Sequence, residues 1–343
     1  MTRAILPPSA HPAEADRTPE DRGLARDEVR LLVSEGPADT DHRFRELPGL
    51  LRPNDLLVVN ESATWPASLP ARGRAGAFVV HLSTRYGARL WVVELRWSPA
   101  VPGPVPIAPD ETFDLAGVPT RWVAEYPGLP RLGFVRPDGD LERAMARAGR
   151  PIRYGYLAHD YPIADFQTVF AKVPGSAEMP SAGRPFSRRL VAELRSSGVR
   201  LATIVLHTGV SSLETDAAAP GARPVYPEPF EVPEATARAI RATRRDGGRV
   251  IAVGTTVVRA LESATDDCGL RPARGFTQVY LHAERPLRSV DGLLTGFHAA
   301  RTTHLELLAA LAPAERLARA YAAAVDRGYL WHEFGDSHLI LRP

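Results

Sequence analysis

Cysteine and lysine are almost absent from this sequence of 343 residues. A single cysteine, Cys268, excludes an internal disulfide framework and a cysteine-based zinc cluster, and this usage is typical of a reducing cytoplasm. Lys172 is the one lysine among 42 basic residues. A lysine kept in a chain so rich in arginine is a candidate for a role that needs its compact, titratable amine; the alternative is that it was retained by chance.

Long hydrophobic runs are absent too. No apolar segment is long enough to span a bilayer, and the N-terminus lacks the basic-then-apolar pattern of a signal peptide. We therefore expect a cytoplasmic protein with no membrane partner. The net charge of +2 is too small to indicate nucleic-acid binding by itself. With 44% hydrophobic residues the chain can fill a large core, and its length indicates two domains.

Several common active-site motifs are missing. The sequence has no Gly-x-Gly-x-x-Gly or Walker loop, no His-Glu-x-x-His and no Gly-x-Ser-x-Gly. His298 and His304 are six residues apart, so in one helix they would face different sides, which argues against a metal-binding pair. We expect no metal ion.

The distribution of apolar residues predicts an α/β fold with an insertion. From about Ala67 to Leu141, short alternating runs are separated by glycine and proline clusters, which predicts the antiparallel strands of a small barrel or sandwich. After Asp140, helical and strand patterns alternate, which predicts a largely parallel sheet covered by helices on both faces. Residues 1–25 are rich in proline, alanine and charge without periodicity, and are predicted to form a loosely held arm.

The segment 249–262 predicts a strand that turns directly into a helix. Residues 250–253 are apolar, Gly254 ends the run, and Thr255 or Thr256 can cap a following helix. Such a turn leaves backbone N–H groups free at the helix start, aimed beyond the edge of the sheet, where a ligand can bind. The alternative is an ordinary turn, because any α/β protein has several.

Other predicted strands also end in small and polar residues. Residues 201–206 lead to His207, Thr208 and Gly209, and residues 293–294 lead to the segment 295–298. These ends converge at one edge of a doubly wound sheet, where ligands bind. The loop 174–183 is small and rich in glycine, as in segments that approach a ligand, and residues 333–338 add carboxylates and histidines before the last strand.

Two of these polar residues have a simple structural alternative. Asn60 follows a predicted strand and can present its amide at the strand end, or it can form an Asx-turn that holds its own backbone. A histidine is more often a structural hydrogen-bonding residue than a catalytic one. His298 is nevertheless a candidate acid or base, because it stands at a strand end beside Thr295.

Two long segments carry a resemblance to a known family: Tyr226-Pro-Glu-Pro-Phe-Glu-Val-Pro-Glu-Ala-Thr-Ala-Arg-Ala-Ile240 and Gly248-Arg-Val-Ile-Ala-Val-Gly-Thr-Thr-Val-Val-Arg-Ala-Leu-Glu-Ser263. Both resemble the S-adenosylmethionine:tRNA ribosyltransferase-isomerase family of queuosine biosynthesis. Further matches are collinear with the family from about Arg26 to the C-terminus: Arg52-Pro-Asn-Asp-Leu-Leu-Val-Val-Asn60, Phe166-Gln-Thr-Val-Phe-Ala-Lys172, Gly175-Ser176, Pro180-Ser-Ala-Gly183, Val290-Asp-Gly-Leu-Leu-Thr-Gly-Phe-His298 and Phe334-Gly-Asp336.

The resemblance implies a fold, a reaction and its partners. The fold is a discontinuous α/β catalytic domain of residues 1–66 and 142–343 with an inserted β-barrel domain of residues 67–141. The reaction transfers and isomerises the ribosyl moiety of S-adenosylmethionine, a co-substrate, onto 7-aminomethyl-7-deazaguanine at the tRNA wobble position. Its products are epoxyqueuosine-tRNA, adenine and methionine. The implied partners are S-adenosylmethionine and tRNA, no metal is required, and we expect a monomer.

The resemblance also implies roles for individual residues. Glu228 or His298 is the acid or base, and Arg259 and Asp336 orient the substrate. His207 joins the catalytic set. The residues expected to bind substrate are Gly254, Thr255, Thr256, Gly175, Ser176, Ala182, Gly183, Asn60, Thr295, Phe297 and Lys172.

This chain departs from the family's usual pattern in several motifs, and two of the changes remove a polar side chain. Pro185 stands where the family usually has a histidine, and Ala63 where it has an arginine. These differences favour a second hypothesis, a divergent member that uses S-adenosylmethionine on a small-molecule acceptor. A third hypothesis, a non-catalytic S-adenosylmethionine-binding protein, is least supported because the five expected catalytic residues remain.

A series of arginines argues for RNA. Its members are spaced mostly three or four residues apart: Arg238, Arg241, Arg244, Arg245 and Arg249. The alternative is the solvated face of a helix.

Overall fold

The computed structural model describes residues 12–99, 101–210, 225–299 and 302–342. Its strands, in chain order, are β1 (Ala13–Glu14), β2 (Arg30–Glu35), β3 (Ala38–Arg43), β4 (Leu56–Asn60), β5 (Ser62–Thr64), β6 (Ser68–Gly73), β7 (Gly76–Gly87), β8 (Leu90–Arg96), β9 (Thr112–Leu115), β10 (Val118–Tyr126), β11 (Leu129–Pro137), β12 (Val173–Ser176), β13 (Arg200–Leu206), β14 (Glu228–Val232), β15 (Val250–Val253), β16 (Thr265–Asp266), β17 (Gly269–Leu270), β18 (Ala273–Thr277), β19 (Gly292–Gly296), β20 (Leu330–Trp331) and β21 (Ser337–Leu341). Its α-helices are α1 (Leu47–Leu50), α2 (Leu141–Ala148), α3 (Arg188–Ser196), α4 (Glu234–Arg245), α5 (Thr255–Ser263), α6 (Thr303–Leu311) and α7 (Ala314–Asp326).

Nine strands form one sheet in the order β18-β14-β13-β4-β15-β19-β21-β2-β3. The four central strands, β13, β4, β15 and β19, run parallel. The pairings of β18 with β14, β14 with β13, β19 with β21 and β2 with β3 are antiparallel. The α/β class is confirmed. The sheet is mixed: β2 also pairs with β21 in parallel, so four of the eight pairings are parallel, and the expected parallel arrangement holds for the central strands and this pair.

Helices cover both faces of this sheet, as the alternating burial of β4 shows. Leu56 and Val58 pack in a core with residues of α4, α5, α6 and α7. Leu57 and Val59 point the other way, into a second core with residues of α1 and α3. Successive residues of a strand face opposite sides of the sheet, so a strand that is apolar throughout is stable only when both sides are covered.

The inserted segment forms a closed six-stranded barrel. Strands β6 to β11 close in the order β10-β11-β8-β7-β6-β9, and all their pairings that the structure describes are antiparallel. Leu69, Val80, Val93, Leu115 and Val135 fill its core. The predicted barrel is confirmed. The assignment of residues 67–141 to a separate domain stays a prediction.

Residues 12–25 are not the loose arm expected from composition. Strand β1 pairs with β20, and Ala15 is fully buried. Both carboxylate oxygens of Glu20 accept hydrogen bonds from the buried Arg184, at 3.0 and 2.9 Å. Composition missed this anchoring because it depends on a partner more than 160 residues away. Residues 1–11 lie outside the described part of the chain.

Candidate active site

A cavity of about 240 Å³ lies at the carboxyl ends of the central strands. Its walls come from the ends of β15 and β19, from the loop before α3, and from the loop between β20 and β21. Seven of the residues expected at the site line it: Gly254, Thr255, Thr256, Ala182, Thr295, Phe297 and His298. The predicted convergence of strand ends is therefore present in the structure.

Gly254 makes the turn from β15 into α5. Its φ of 96° lies in the left-handed region, which glycine adopts without strain. Its N–H donates to the carbonyl of Leu294 at 2.8 Å, which joins the turn to β19. Neither threonine caps the helix, contrary to expectation: Gly254 is the N-cap residue, and no side chain caps it. Thr255 and Thr256 line the cavity instead.

Asn60 joins the ends of β4 and β13. Its Nδ2 donates to the carbonyl of Leu206 at 2.8 Å, and its Oδ1 accepts from Leu206 N at 3.1 Å and from Ser62 N at 3.0 Å. Nδ2 also lies 3.4 Å from Oγ1 of Thr256. The contact with Ser62 is the local turn that was the alternative interpretation. Asn60 thus positions the strand ends and touches the cavity wall through Thr256.

His207, Gly175 and Ser176 form a small polar cluster that contacts the cavity wall through Thr208, whose N–H donates to Ser176 Oγ at 3.1 Å. His207 Nδ1 lies 2.7 Å from Ser62 Oγ, which lies 2.6 Å from Ser176 Oγ. A Cβ on Gly175 would come within 2.4 Å of the His207 ring, so this position has room for glycine only. Burial lowers the pKa of His207 to about 4, so the ring is neutral at pH 7. The neighbouring Thr208 lines the cavity.

Glu228 and Arg259 form an ion pair beside a second, smaller cavity of about 40 Å³. Glu228 is 2% exposed; its Oε1 accepts from the backbone N–H of Gly209 at 2.8 Å, and its Oε2 pairs with Nη1 of Arg259. The two cavities share Thr303 and His304 in their walls. The predicted pair therefore borders the main cavity without lining it.

His298 and His304 lie one against the other in the main cavity wall. Their ring centroids are 5.0 Å apart, and His298 Nε2 is 2.9 Å from Thr295 Oγ1. Burial lowers the pKa of His304 to about 4, with a further contribution from the charge of Arg259. Burial, followed by the neighbouring His304, lowers the pKa of His298 well below its usual value. Both rings are therefore neutral at pH 7.

Glu333 is a cavity residue that was not among the expected site residues. It lines the main cavity, and its Oε2 is buried without a hydrogen-bond partner among the described residues. Burial raises the pKa of its carboxyl to about 7. The carboxylates of segment 333–338 were visible in the sequence, but which of them faces the cavity was not. His304 and His332, also in the wall, were not expected there either.

Seven expected site residues line neither cavity: Asn60, Gly175, Ser176 and His207, described above, and Asp336, Lys172 and Gly183. Both carboxylate oxygens of Asp336 accept backbone N–H groups, from Arg30 at 2.7 Å and from Leu330 at 2.8 Å. Lys172 is exposed, and its Nζ lies 3.3 Å from Glu61 Oε2. Gly183 is buried in a short 3-10 helix whose other two residues, Ser181 and Ala182, do line the main cavity. Asp336 therefore holds backbone segments in place.

Four arginines of the series lie on α4, and Arg249 lies at the end of the sheet opposite the cavity. Arg249 precedes β15, whereas the cavity follows this strand, and its guanidinium pairs with the buried Asp55. Arg238 and Arg241 pair with Glu234 on the same helix. This arrangement fits the alternative interpretation, a solvated helix face.

In the described ranges of the chain, no three His, Cys, Asp or Glu side chains are grouped so as to hold a metal ion. None of the helices in those ranges has both the length and the apolar character needed to cross a membrane.

The α/β sheet, the inserted barrel and the cavity lined by the quoted motifs are the features that the sequence resemblance implied for an S-adenosylmethionine-dependent transferase. The chain belongs to the queuosine biosynthesis protein family, whose sequence profile matches residues 9–340.

Similar proteins include the S-adenosylmethionine:tRNA ribosyltransferase-isomerases of Gloeobacter violaceus and Thermus thermophilus. The first is 38% identical over 323 residues, covering 92% of this chain and 90% of that protein. The second is 37% identical over 327 residues, covering 92% and 93%. The crystal structure of S-adenosylmethionine tRNA ribosyltransferase from Thermotoga maritima has a TM-score of 0.52 and 26% identity, covering 98% of each chain.

Proposed function

We propose that this protein transfers and isomerises the ribosyl moiety of S-adenosylmethionine onto 7-aminomethyl-7-deazaguanine at the wobble position of tRNA. The products are epoxyqueuosine-tRNA, adenine and methionine. The observation that carries the proposal is the similarity to enzymes of this name over 92% of the chain. The cavity supports it, because its walls contain residues of the motifs that resemble the family.

The chemistry of the cavity suits this reaction. Removal of a proton beside a sulfonium needs a base, and a reactive sugar fragment must be kept from water. The walls combine neutral imidazoles, threonine hydroxyls and the carboxyl groups of Glu178 and Glu333 with the apolar Phe297. S-adenosylmethionine is a co-substrate here, and the reaction requires no metal.

The partners and setting follow from the substrates. A tRNA acceptor places the reaction in the cytoplasm, and no membrane partner is needed. We propose that the protein acts as a monomer, which light scattering on the purified protein tests directly.

The experiment is an assay of the released products. The purified protein is incubated with S-adenosylmethionine and tRNA that carries the deazaguanine precursor, and adenine and methionine are measured by chromatography. The matched control is the same tRNA with guanine at the wobble position, and a second control contains no tRNA. We expect adenine only with the precursor-containing tRNA. If none of the three mixtures releases adenine, the proposed tRNA reaction is wrong.

The same assay tests the small-molecule alternative, which Pro185 and Ala63 favour. Pro185 is buried and Ala63 lies in β5, where it is partly exposed, so neither supplies the polar group that the family usually has. If S-adenosylmethionine binds but precursor-containing tRNA releases no adenine, an acceptor other than tRNA is favoured.

A further inference from the structure

The proposed reaction needs a base beside the sulfonium, and the two bases expected from sequence are poorly suited. Both oxygens of Glu228 are already engaged, one by Gly209 N and the other by Arg259. His298 Nε2 is engaged by Thr295 at 2.9 Å, and burial makes the ring a weak base. Neither is therefore free to accept a proton readily.

The carboxyl group of Glu333, unlike those two groups, has an oxygen that is not engaged. Its carboxyl lines the main cavity, and Oε2 is buried with no hydrogen-bond partner in the described part of the chain. A buried oxygen without a partner costs free energy, so such groups are uncommon and often belong to functional sites. This oxygen can accept a proton without breaking an existing hydrogen bond.

The loop that carries Glu333 is rigidly built. His332 has a φ of 73°, a strained conformation for a residue with a side chain, and its ring stacks on Tyr156 at 4.6 Å. Gly335 N donates to the carbonyl of His332 at 3.0 Å, and Asp336 bonds to Leu330 N at 2.8 Å. These contacts hold the backbone on both sides of Glu333, whose carboxyl lines the cavity.

We propose that Glu333 is the base that takes the proton from the ribosyl carbon bonded to the sulfur of S-adenosylmethionine. This inference rests on the function proposed above. In this step the C–H bond breaks, and its electron pair stays on the carbon beside the positive sulfur. The proton passes to the Glu333 carboxylate, which becomes a carboxylic acid. The step needs no further reactant.

The electrostatic surroundings suit this role. Burial raises the pKa of Glu333 to about 7, its own backbone N–H opposes this increase, and the charge of Glu14 adds to it. A carboxyl of such pKa is a far stronger base than an ordinary glutamate and is still partly ionised at neutral pH. The other titratable groups in the cavity wall are Tyr154, Glu178, His298, His304 and His332. His298 and His304 do not change charge near pH 7, because burial lowers the pKa of each.

The test compares the wild type with Glu333→Gln, Glu333→Asp and an exposed control on α7, Glu315→Gln. Adenine release is measured with precursor-containing tRNA from pH 5.5 to 8.5. Binding of S-adenosylmethionine is measured by calorimetry in buffers with different heats of ionisation. We expect kcat of the wild type to fall about tenfold per pH unit below about 7. Glu333→Gln loses at least about 100-fold in kcat, and Glu333→Asp recovers part of it.

Binding gives a second readout that does not depend on turnover. The positive sulfonium favours ionised Glu333, so binding at pH 6 releases a proton from the wild type but not from Glu333→Gln. Retained binding by Glu333→Gln also shows that the variant is folded. If Glu333→Gln keeps kcat within about threefold of the wild type, the role of Glu333 is overturned and the proposed function stands. If the wild type releases no adenine with any tRNA, the proposed function is overturned, and so is the step assigned to Glu333.

Discussion

The imidazole rings of His298 and His304 stack in the cavity wall with their planes 15° apart. Burial lowers the pKa of both, so that adding a proton to either ring would place a charge in a poorly hydrated contact. The pair is therefore a neutral, flat part of the wall between pH 5 and 8. Such a surface suits stacking on a planar base better than it suits proton transfer.

This stack predicts the pH behaviour of a His304 variant. We expect His304→Gln to lower kcat by up to about 100-fold, because loss of the imidazole displaces the cavity wall. The shape of the pH profile is expected to stay that of the wild type. The measurement is adenine release with precursor-containing tRNA at several pH values. A change in the apparent pKa of the profile would show that His304 itself titrates during turnover.

We expect a side chain at position 175 to clash with the His207 ring. A Cβ at this position would meet the His207 ring at 2.4 Å and push it away from Ser62. We expect Gly175→Ala to lower the free energy of unfolding by about 1–3 kcal/mol, measured by urea denaturation. Gly155→Ala is the matched control, because nothing lies within 4 Å of its Cβ position. Equal effects of the two substitutions would contradict the steric account.

Arg184 anchors residues 12–25 through Glu20. Its guanidinium is almost fully buried and donates two hydrogen bonds to Glu20. We expect Arg184→Met to expose the peptide bonds near Arg22 to trypsin and to cost about 1–3 kcal/mol of unfolding free energy. Glu20→Gln should cost less, about 0.5–1 kcal/mol, since this carboxylate is 41% exposed. Unchanged proteolysis in Arg184→Met would mean that β1 alone holds the segment.

The position of the cavity could be predicted from sequence, because the signals for it are local. Apolar runs followed by Gly254 or by Thr295 mark strand ends, and strand ends in the centre of an α/β sheet meet at one edge. No such local signal in the sequence predicts the directions of the outer strands. Strand β21 lies between β19 and β2, which are distant in the sequence, and its antiparallel pairing with β19 depends on that placement.

The base proposed for the reaction could not be chosen from sequence for the same reason. Glu333 and Asp336 are three residues apart and both acidic. Only the contacts of Asp336 with Arg30 and Leu330, and the stacking of His332 on Tyr156, decide which carboxyl supports the loop and which faces the cavity. Lys172 is a similar case: its rarity drew attention, but in the structure it is an exposed residue near Glu61.

We expect an acid-dependent loss of stability at the end of the sheet away from the cavity, where Asp55 lies. Its side chain is 1% exposed and is bonded by the Arg249 guanidinium. Burial raises its pKa, but the hydrogen bonds from Arg249 and from the backbone N–H groups of Arg52 and Arg249, with the charge of Arg249, outweigh this and hold the pKa below its usual value. A carboxyl whose pKa is lower in the folded state stabilises the fold above its unfolded pKa of about 3.9, and this stabilisation is lost as the pH falls through the folded value.

We therefore expect Asp55→Asn to lower the free energy of unfolding by about 3 kcal/mol at pH 7, because Arg249 is left without its buried partner. Below the folded pKa of Asp55 the wild type is protonated at this position too, so the difference between the two proteins should shrink toward zero. Urea denaturation at pH 7 and at progressively lower pH measures it, with the exposed Asp326→Asn as control. A difference that stays constant down to the lowest pH would mean that shape and hydrogen bonding at Asp55, and not its charge, stabilise this end of the sheet.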